Sequence, residues 1–327
     1  MEIFLYLGIF FFSCVILYWA GEILINNLIK VSKFLGLTEF IVAFFVMALA
    51  ASLPNFFVGI TSALQGTPEL SLGDIFGNNM AALTLAVFFA VAFAPGREIK
   101  ADGETVRVSI WVTALVAVLP LILLADHVIS RSDGVILIIA FLLYISWLLS
   151  NKERFSKVYN HQPESVKAPT VSNLRNVMVS LLFILLGAAL LLLAAQGIVI
   201  SAKFFALFLG LPLVLIGFLV VGLGGALPEV YFSFISARRG ETSLILGNIM
   251  GSVIFPATLV LGLVAIVKPI EIFDISFLVF SRFFLIIASL VFLFAARSDK
   301  KIVLSEAIAL AIIYLLFMVT IVWFTAF

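Results

Sequence analysis

Two stretches, far apart in the chain, set oxygen-bearing side chains beside proline and glycine in the middle of apolar runs. The first is Ala51-Ser52-Leu53-Pro54-Asn55, followed by Gly73-Asp74-Ile75-Phe76-Gly77-Asn78-Asn79. The second is Gly224-Gly225-Ala226-Leu227-Pro228-Glu229, followed by Gly247-Asn248-Ile249-Met250-Gly251-Ser252. Carboxylates, amides and hydroxyls are the hard oxygen donors that a sodium or calcium ion requires, and a carboxylate can also carry a proton. Proline in a helix withholds one amide and crowds the carbonyl a turn earlier, so Pro54 and Pro228 are expected to kink or break their helices and free carbonyl oxygens as further donors. The candidate ion ligands are Glu229, Asp74, Asn55, Ser52, Asn78, Asn79, Asn248 and Ser252, with Glu229, Asp74, Asn55 and Ser252 expected to touch a metal ion.

Each of these residues also has a plainer reading. Buried Asn and Ser commonly join membrane helices through hydrogen bonds worth about 1 kcal/mol, and Gly-x-x-x-Gly pairs such as Gly73/Gly77 and Gly247/Gly251 let helices approach closely. Asp74, near a predicted helix start, could cap it. Glu22, near a membrane surface, could snorkel or pair with Lys30 or Lys33. Glu229 is hardest to assign to packing, because an ionisable group near mid-bilayer costs several kcal/mol unless compensated. His127 and His161 fall in predicted connections and read as solvated. The single cysteine, Cys14, rules out an intramolecular disulfide and a cysteine metal cluster. No nucleophile with a partnered base, phosphate loop or cofactor motif is present, so neither an enzyme nor a bound cofactor is expected.

The elements that must position these groups follow from composition. Of 327 residues, 64% are apolar and 11% charged, more apolar surface than a soluble globule can hide. A net charge of +1 in scattered basic residues offers no nucleic-acid surface; the partners expected are the lipid bilayer and small inorganic cations. Crossing about 30 Å of hydrocarbon takes roughly 20 residues of helix, which predicts ten spans centred near Phe12, Phe45, Leu83, Val116, Phe141, Ile184, Val220, Val260, Leu285 and Tyr314. Connections after odd-numbered spans hold about fifteen Lys and Arg, whereas the other side holds Arg131, Lys203 and Lys268. The positive-inside rule then puts both termini outside, in a plasma (inner) membrane.

Shifted by 174 residues, the sequence matches itself: Leu53-Pro54 meets Leu227-Pro228, Gly66 meets Gly240, Leu72-Gly73 meets Leu246-Gly247, and Gly77 meets Gly251. Coincident Gly and Pro positions mark an internal repeat. Each copy holds five spans, an odd number, so the second must run inverted. The fold class expected is therefore all-α integral membrane, ten transmembrane helices as two inverted five-helix repeats, with residues 1–150 as the first, 151–172 as a cytoplasmic linker and 173–327 as the second. Such repeats place a site at the bilayer midplane where the halves meet.

These motifs, at these spans, resemble the calcium/cation antiporter superfamily, most closely the prokaryotic sodium/calcium exchangers. In that family each half carries Gly-(Ser/Thr)-(Ser/Thr)-x-Pro-Glu on its second helix and Gly-Asn-x-x-Gly-(Ser/Asn) on its third, the latter matched by Gly73 to Asn78 and Gly247 to Ser252. The resemblance implies a central site of two glutamates plus an Asn or Asp one turn beyond each third-helix motif. Glu229 keeps one glutamate; Asn55 replaces the other, and Ala82 and Pro256 stand one turn on. Ala51, Gly225 and Ala226 occupy places where Ser or Thr is usual, while Ser52, Asn78 and Ser252 keep oxygen where the family has sodium ligands. A dehydrated divalent ion needs roughly two negative charges nearby, and Asp74, if it faces inward, would restore the second. The function implied is alternating-access cation antiport of calcium, sodium or protons, the first and sixth spans sliding against a core of the others. A monovalent cation/proton antiporter lacking calcium transport and a non-transporting membrane subunit remain as alternatives. A monomer is compatible with the sequence, which does not define the oligomeric state.

Overall fold

The computed structural model describes residues 2–34, 47–101, 104–150, 171–238, 240, 242–272 and 275–326. Long apolar runs form helices because only a helix satisfies its own backbone without water. In chain order these are α1 (Glu2–Phe34), α2 (Met47–Leu64), α3 (Glu69–Phe93), α4 (Glu104–Leu123), α5 (Arg131–Ser150), α6 (Val171–Leu209) and α7 (Leu213–Arg238). Then come α8 (Thr242–Phe255, continuing through Pro256–Val260 and Leu261–Val267), α9 (Ile275–Arg297) and α10 (Leu304–Ala326). Among the described residues nine helices are long and apolar enough to cross a membrane, and α2 contributes a shorter apolar helix, Ser52–Leu64. Nine of the ten predicted centres fall within those nine helices; Phe45 lies outside the described residues, as does most of the predicted linker, 151–170.

Burial ranks the helices. In α3 and α8, 78% and 83% of the apolar window is buried, against 22% in α1 and α6, so the first pair is the centre of the bundle and the second its flank. α1 and α6 pack on each other, and with parts of α2, α3 and α7 they make an apolar cluster beside the main core, which draws on α3, α4, α5, α7, α8, α9 and α10. At 33 and 39 residues, α1 and α6 extend about 50 and 58 Å, well beyond the hydrocarbon thickness.

Four short strands tie the connections. β1 (Glu98–Lys100) pairs antiparallel with β4 (Lys301–Val303), and β2 (Val128–Ile129) with β3 (Ile270–Glu271). α4 runs from β1 to β2, whereas α9 runs from β3 to β4. The two packed helices therefore run in opposite directions between the same two ladders. An all-α fold leaves out these ladders; segments of two or three residues are too short to show a period-2 pattern.

The prolines differ from expectation. Helix continues through Pro54 and Pro228, and the irregular turns lie instead at Ala82–Ala86, Gly217–Gly222 and Pro256–Val260, all π-helical. One lost hydrogen bond does not end a helix held by its neighbours on all sides. The first and third of these π turns begin 174 residues apart, at Ala82 and Pro256. Glu22 accepts a hydrogen bond from Tyr18 Oη, one turn earlier on α1, at 3.0 Å.

On the β1–β4 ladder Lys301 Nζ lies 2.8 Å from Glu98 Oε2 and holds that carboxyl below the ordinary glutamate range. A carboxyl lowered in the fold stabilises it fully above the unfolded value and loses that contribution as pH falls through the lower, folded value. Acidification is thus expected to lower the melting temperature slightly more in the unaltered chain than in Lys301→Gln. Superimposable melting profiles from pH 6 down to pH 3 would show that this pair does not contribute.

Candidate functional site

The centre of the bundle is made by glycine. A Cβ on Gly73 would stand 1.9 Å from the Val214 carbonyl oxygen, and one on Gly77 2.3 Å from that of Phe218. From the other side, a Cβ on Gly217 would stand 2.4 Å from the Leu70 carbonyl oxygen and one on Gly222 2.6 Å from that of Asp74. α3 and α7 therefore cross backbone to backbone. Gly217 and Gly222 are five residues apart, a spacing that puts both on one face only because the turn between them is π-helical. This counterpart face was not anticipated from the sequence, where a five-residue interval matches no α-helical stripe. Gly247, the repeat mate of Gly73, has no neighbour within 4 Å of its Cβ position among the described residues, and the repeat counterparts of Val214 and Phe218, Phe40 and Phe44, lie outside them.

The crossing brings Asp74 and Asn78 of α3 against the half of α7 that carries Glu229. Asp74 is 1% exposed and Glu229 2%, and the two carboxyls lie within electrostatic range of each other. Asp74 is the sixth residue of its helix rather than a cap. A Cβ on Gly225 would stand 3.2 Å from Asn55 Oδ1 and 3.7 Å from Asp74 Oδ1, so α2 and α3 present these two oxygens to the same point on α7. Asn78 Nδ2 donates to the Ser252 carbonyl at 3.1 Å, joining α3 to α8, and Ser252 Oγ donates to the Ile249 carbonyl at 3.1 Å. Ser52 and Asn79 are buried, and Asn248 is half-buried. Pro228 has no amide to offer the carbonyl of Gly224, which lines a cavity of about 340 Å³ together with Pro54, Asn55, Asp74 and Gly225. Glu229, Asn78 and Ser252 lie outside that wall.

Both oxygens of Asp74, Glu229 Oε2, Asn78 Oδ1, Ser52 Oγ, both amide atoms of Asn79, and Nδ2 of Asn55 and Asn248 are buried without a hydrogen-bond partner. Each such atom costs about 1–3 kcal/mol unless something pairs with it, and native structures hold few. A side-chain amide exchanges its oxygen and nitrogen by turning over, so each Asn offers an acceptor as readily as a donor. Carboxylate, amide and hydroxyl oxygens of this kind are the donor types that suit a hard cation. Five more buried, unpartnered hydroxyls, Ser71, Ser201, Ser233, Ser281 and Ser289, were not singled out from the sequence. Ser233 stands one helical turn beyond Glu229, a spacing that could have signalled it. Among the described residues no three of His, Cys, Asp and Glu gather as a metal cluster.

A family model described as "Sodium/calcium exchanger protein" matches residues 5–150 and 179–323. The putative antiporter CaxA of Alkalimonas amylolytica is 27% identical over 258 residues, 78% of each chain. The sodium/calcium exchanger MaX1 of Methanosarcina acetivorans is 23% identical over 331 residues, 92% of this chain and 93% of that one. The fold is similar to that of the sodium-calcium exchanger NCX_Mj soaked with 2.5 mM Na+ and 10 mM Sr2+, with a TM-score of 0.64 at 23% identity over 97% of this chain and 99% of that one.

The chain therefore belongs to the sodium/calcium exchanger family, within the calcium/cation antiporter superfamily, and is a multi-pass membrane protein.

Proposed function

We propose that the chain is a secondary active cation antiporter that binds ions at the bilayer midplane between two inverted halves, residues 1–150 and 173–327, joined by the linker 151–172. The observation that carries this reading is the burial of two carboxyls, Asp74 and Glu229, one from each half, on helices that pack against each other, with oxygens that have no hydrogen-bond partner among the described residues. Two carboxylates supply roughly the charge a dehydrated divalent ion needs, so calcium is the favoured cargo and sodium the favoured counter-ion. Asn55, Ser52, Asn78, Asn79, Asn248 and Ser252 supply neutral oxygen.

Ten spans are favoured by nine membrane-length helices plus α2, and inversion by the opposed directions of α4 and α9 between the two ladders. Alternating access draws support from α1 and α6, which pack chiefly on each other at the flank of the bundle. The basic residues favour termini outside an inner membrane.

Counterflow in reconstituted vesicles tests the reading. An outward sodium gradient is expected to drive uptake of radiolabelled calcium. Uptake indifferent to every imposed gradient would defeat antiport, and uptake answering only to a proton gradient would move the assignment to a proton-coupled exchanger.

A further inference from the structure

The cavity beside the site has walls of a different chemistry from its end. Its sides are carbon, from Phe10 and Leu17 of α1, Val58 of α2, Ile198 of α6 and Leu227 of α7. Among the described residues its polar side chains are Asp74, Asn55, the Cys14 thiol and the tyrosines Tyr18 and Tyr231, the last two 52% and 67% exposed. Asp74 is buried and neither of its oxygens has a partner. Gly225 leaves room beside it, since a Cβ there would crowd Asn55 Oδ1 and come into contact with Asp74 Oδ1. At about 340 Å³ the cavity is of the order of those that hold small organic ligands, about 300–1,000 Å³.

Carbon walls do not replace the hydration of a bare metal ion. They do match a cation that carries its own apolar body. We infer that this cavity binds an alkylammonium, its ammonium on Asp74 and Asn55, its chain along α1 and α6, and its approach favoured by the faces of Tyr18 and Tyr231 and by the carboxylate of Glu22, which Tyr18 Oη hydrogen-bonds. Such a ligand would wedge α1 and α6 against the core and hold the transporter in one state. The inference rests on Asp74 as a free carboxylate, which the proposed function also uses, but it is read at equilibrium and needs no flux.

The full chain in nanodiscs is titrated with hexylammonium and with 1-hexanol, a neutral probe of equal length. Hexylammonium is expected to bind at least about tenfold more tightly, and Asp74→Asn to bring the ratio near one. Equal affinity for the two probes in the unaltered chain, or an undiminished preference in Asp74→Asn, would overturn the proposal. Should that variant fold poorly, Cys14, which lines the same cavity, serves as the reporter. Hexylammonium, but not hexanol, is expected to slow its reaction with a methanethiosulfonate reagent, and equal rates would again overturn the site. Sphingosine placed in the disc separates the sources: competition with hexylammonium identifies a membrane amine, and its absence a dissolved one. Amine binding by a chain that moves no cations would defeat the transport reading and leave this site standing; gradient-driven flux without amine preference would do the reverse.

Discussion

Glu229→Gln is expected to abolish cation flux in reconstituted vesicles while leaving a folded protein at least as stable as the unaltered chain in cation-free buffer. Glutamine keeps the shape of glutamate and one oxygen, but removes one of the two negative charges at the centre of the bundle. A charge in a partly dry site contributes several kcal/mol to holding a cation, and about 3 kcal/mol corresponds to roughly a hundredfold loss of affinity. The effect on the empty protein has the opposite sign. A buried carboxylate with an unpartnered oxygen costs desolvation energy that the amide largely avoids, so the melting temperature without cation should hold or rise. The diagnostic pair of results is a lost calcium-dependent thermal shift together with an undiminished baseline. Asp74→Asn should behave alike, because the two carboxyls act on one ion. Flux at the unaltered rate in Glu229→Gln would remove this residue from the site, and unchanged flux in both variants would defeat the transport mechanism.

Alanine at Gly73, in the buried crossing, and at Gly8, on the exposed face of α1, is expected to give opposite outcomes. At Gly73 the added carbon would meet the Val214 carbonyl oxygen at 1.9 Å and the Phe218 nitrogen at 2.9 Å. Both are backbone atoms that no rotamer change can move, so α3 and α7 must part. Overpacking ordinarily costs about 1–3 kcal/mol, and a clash between two main chains belongs at or above the top of that range. Gly73→Ala should therefore lower the yield of monodisperse protein and depress the melting temperature by several degrees. Gly8 is exposed on α1, and alanine there should fold normally, helped by its better helix propensity. Size-exclusion profiles and melting curves of the two variants decide the matter. Equal behaviour would mean that the α3–α7 crossing is looser than its glycines imply.

The spans were legible because a membrane imposes its thickness and apolarity on the sequence: nine of ten centres lie in membrane-length helices, with no other information than hydropathy and length. The repeat was legible because glycine and proline at matched positions are rarely accidental. Asp74 was harder to place. Sequence put it near a helix start, where capping competes with the ion-binding role expected of it; its burial beside Asn55 and Gly225 follows from how far α3 penetrates the bundle, which no local signal encodes. The π turns stayed hidden for a similar reason. A single extra residue per turn leaves composition unchanged and shows itself only through the neighbour it serves, as Gly217 and Gly222 do for α3.

Sequence alone determined the membrane setting, the helical segments and the residue types from which a cation site could be drawn, because hydrophobicity and oxygen chemistry are properties of the side chains themselves. Tertiary structure decided which of those oxygens share one place. The α3–α7 crossing set Asp74 beside Asn55, on the helix that packs against the half of α7 carrying Glu229. Contact between helices depends on their relative rotation and depth. Those are fixed only when all the helices pack together, and no single segment contains them.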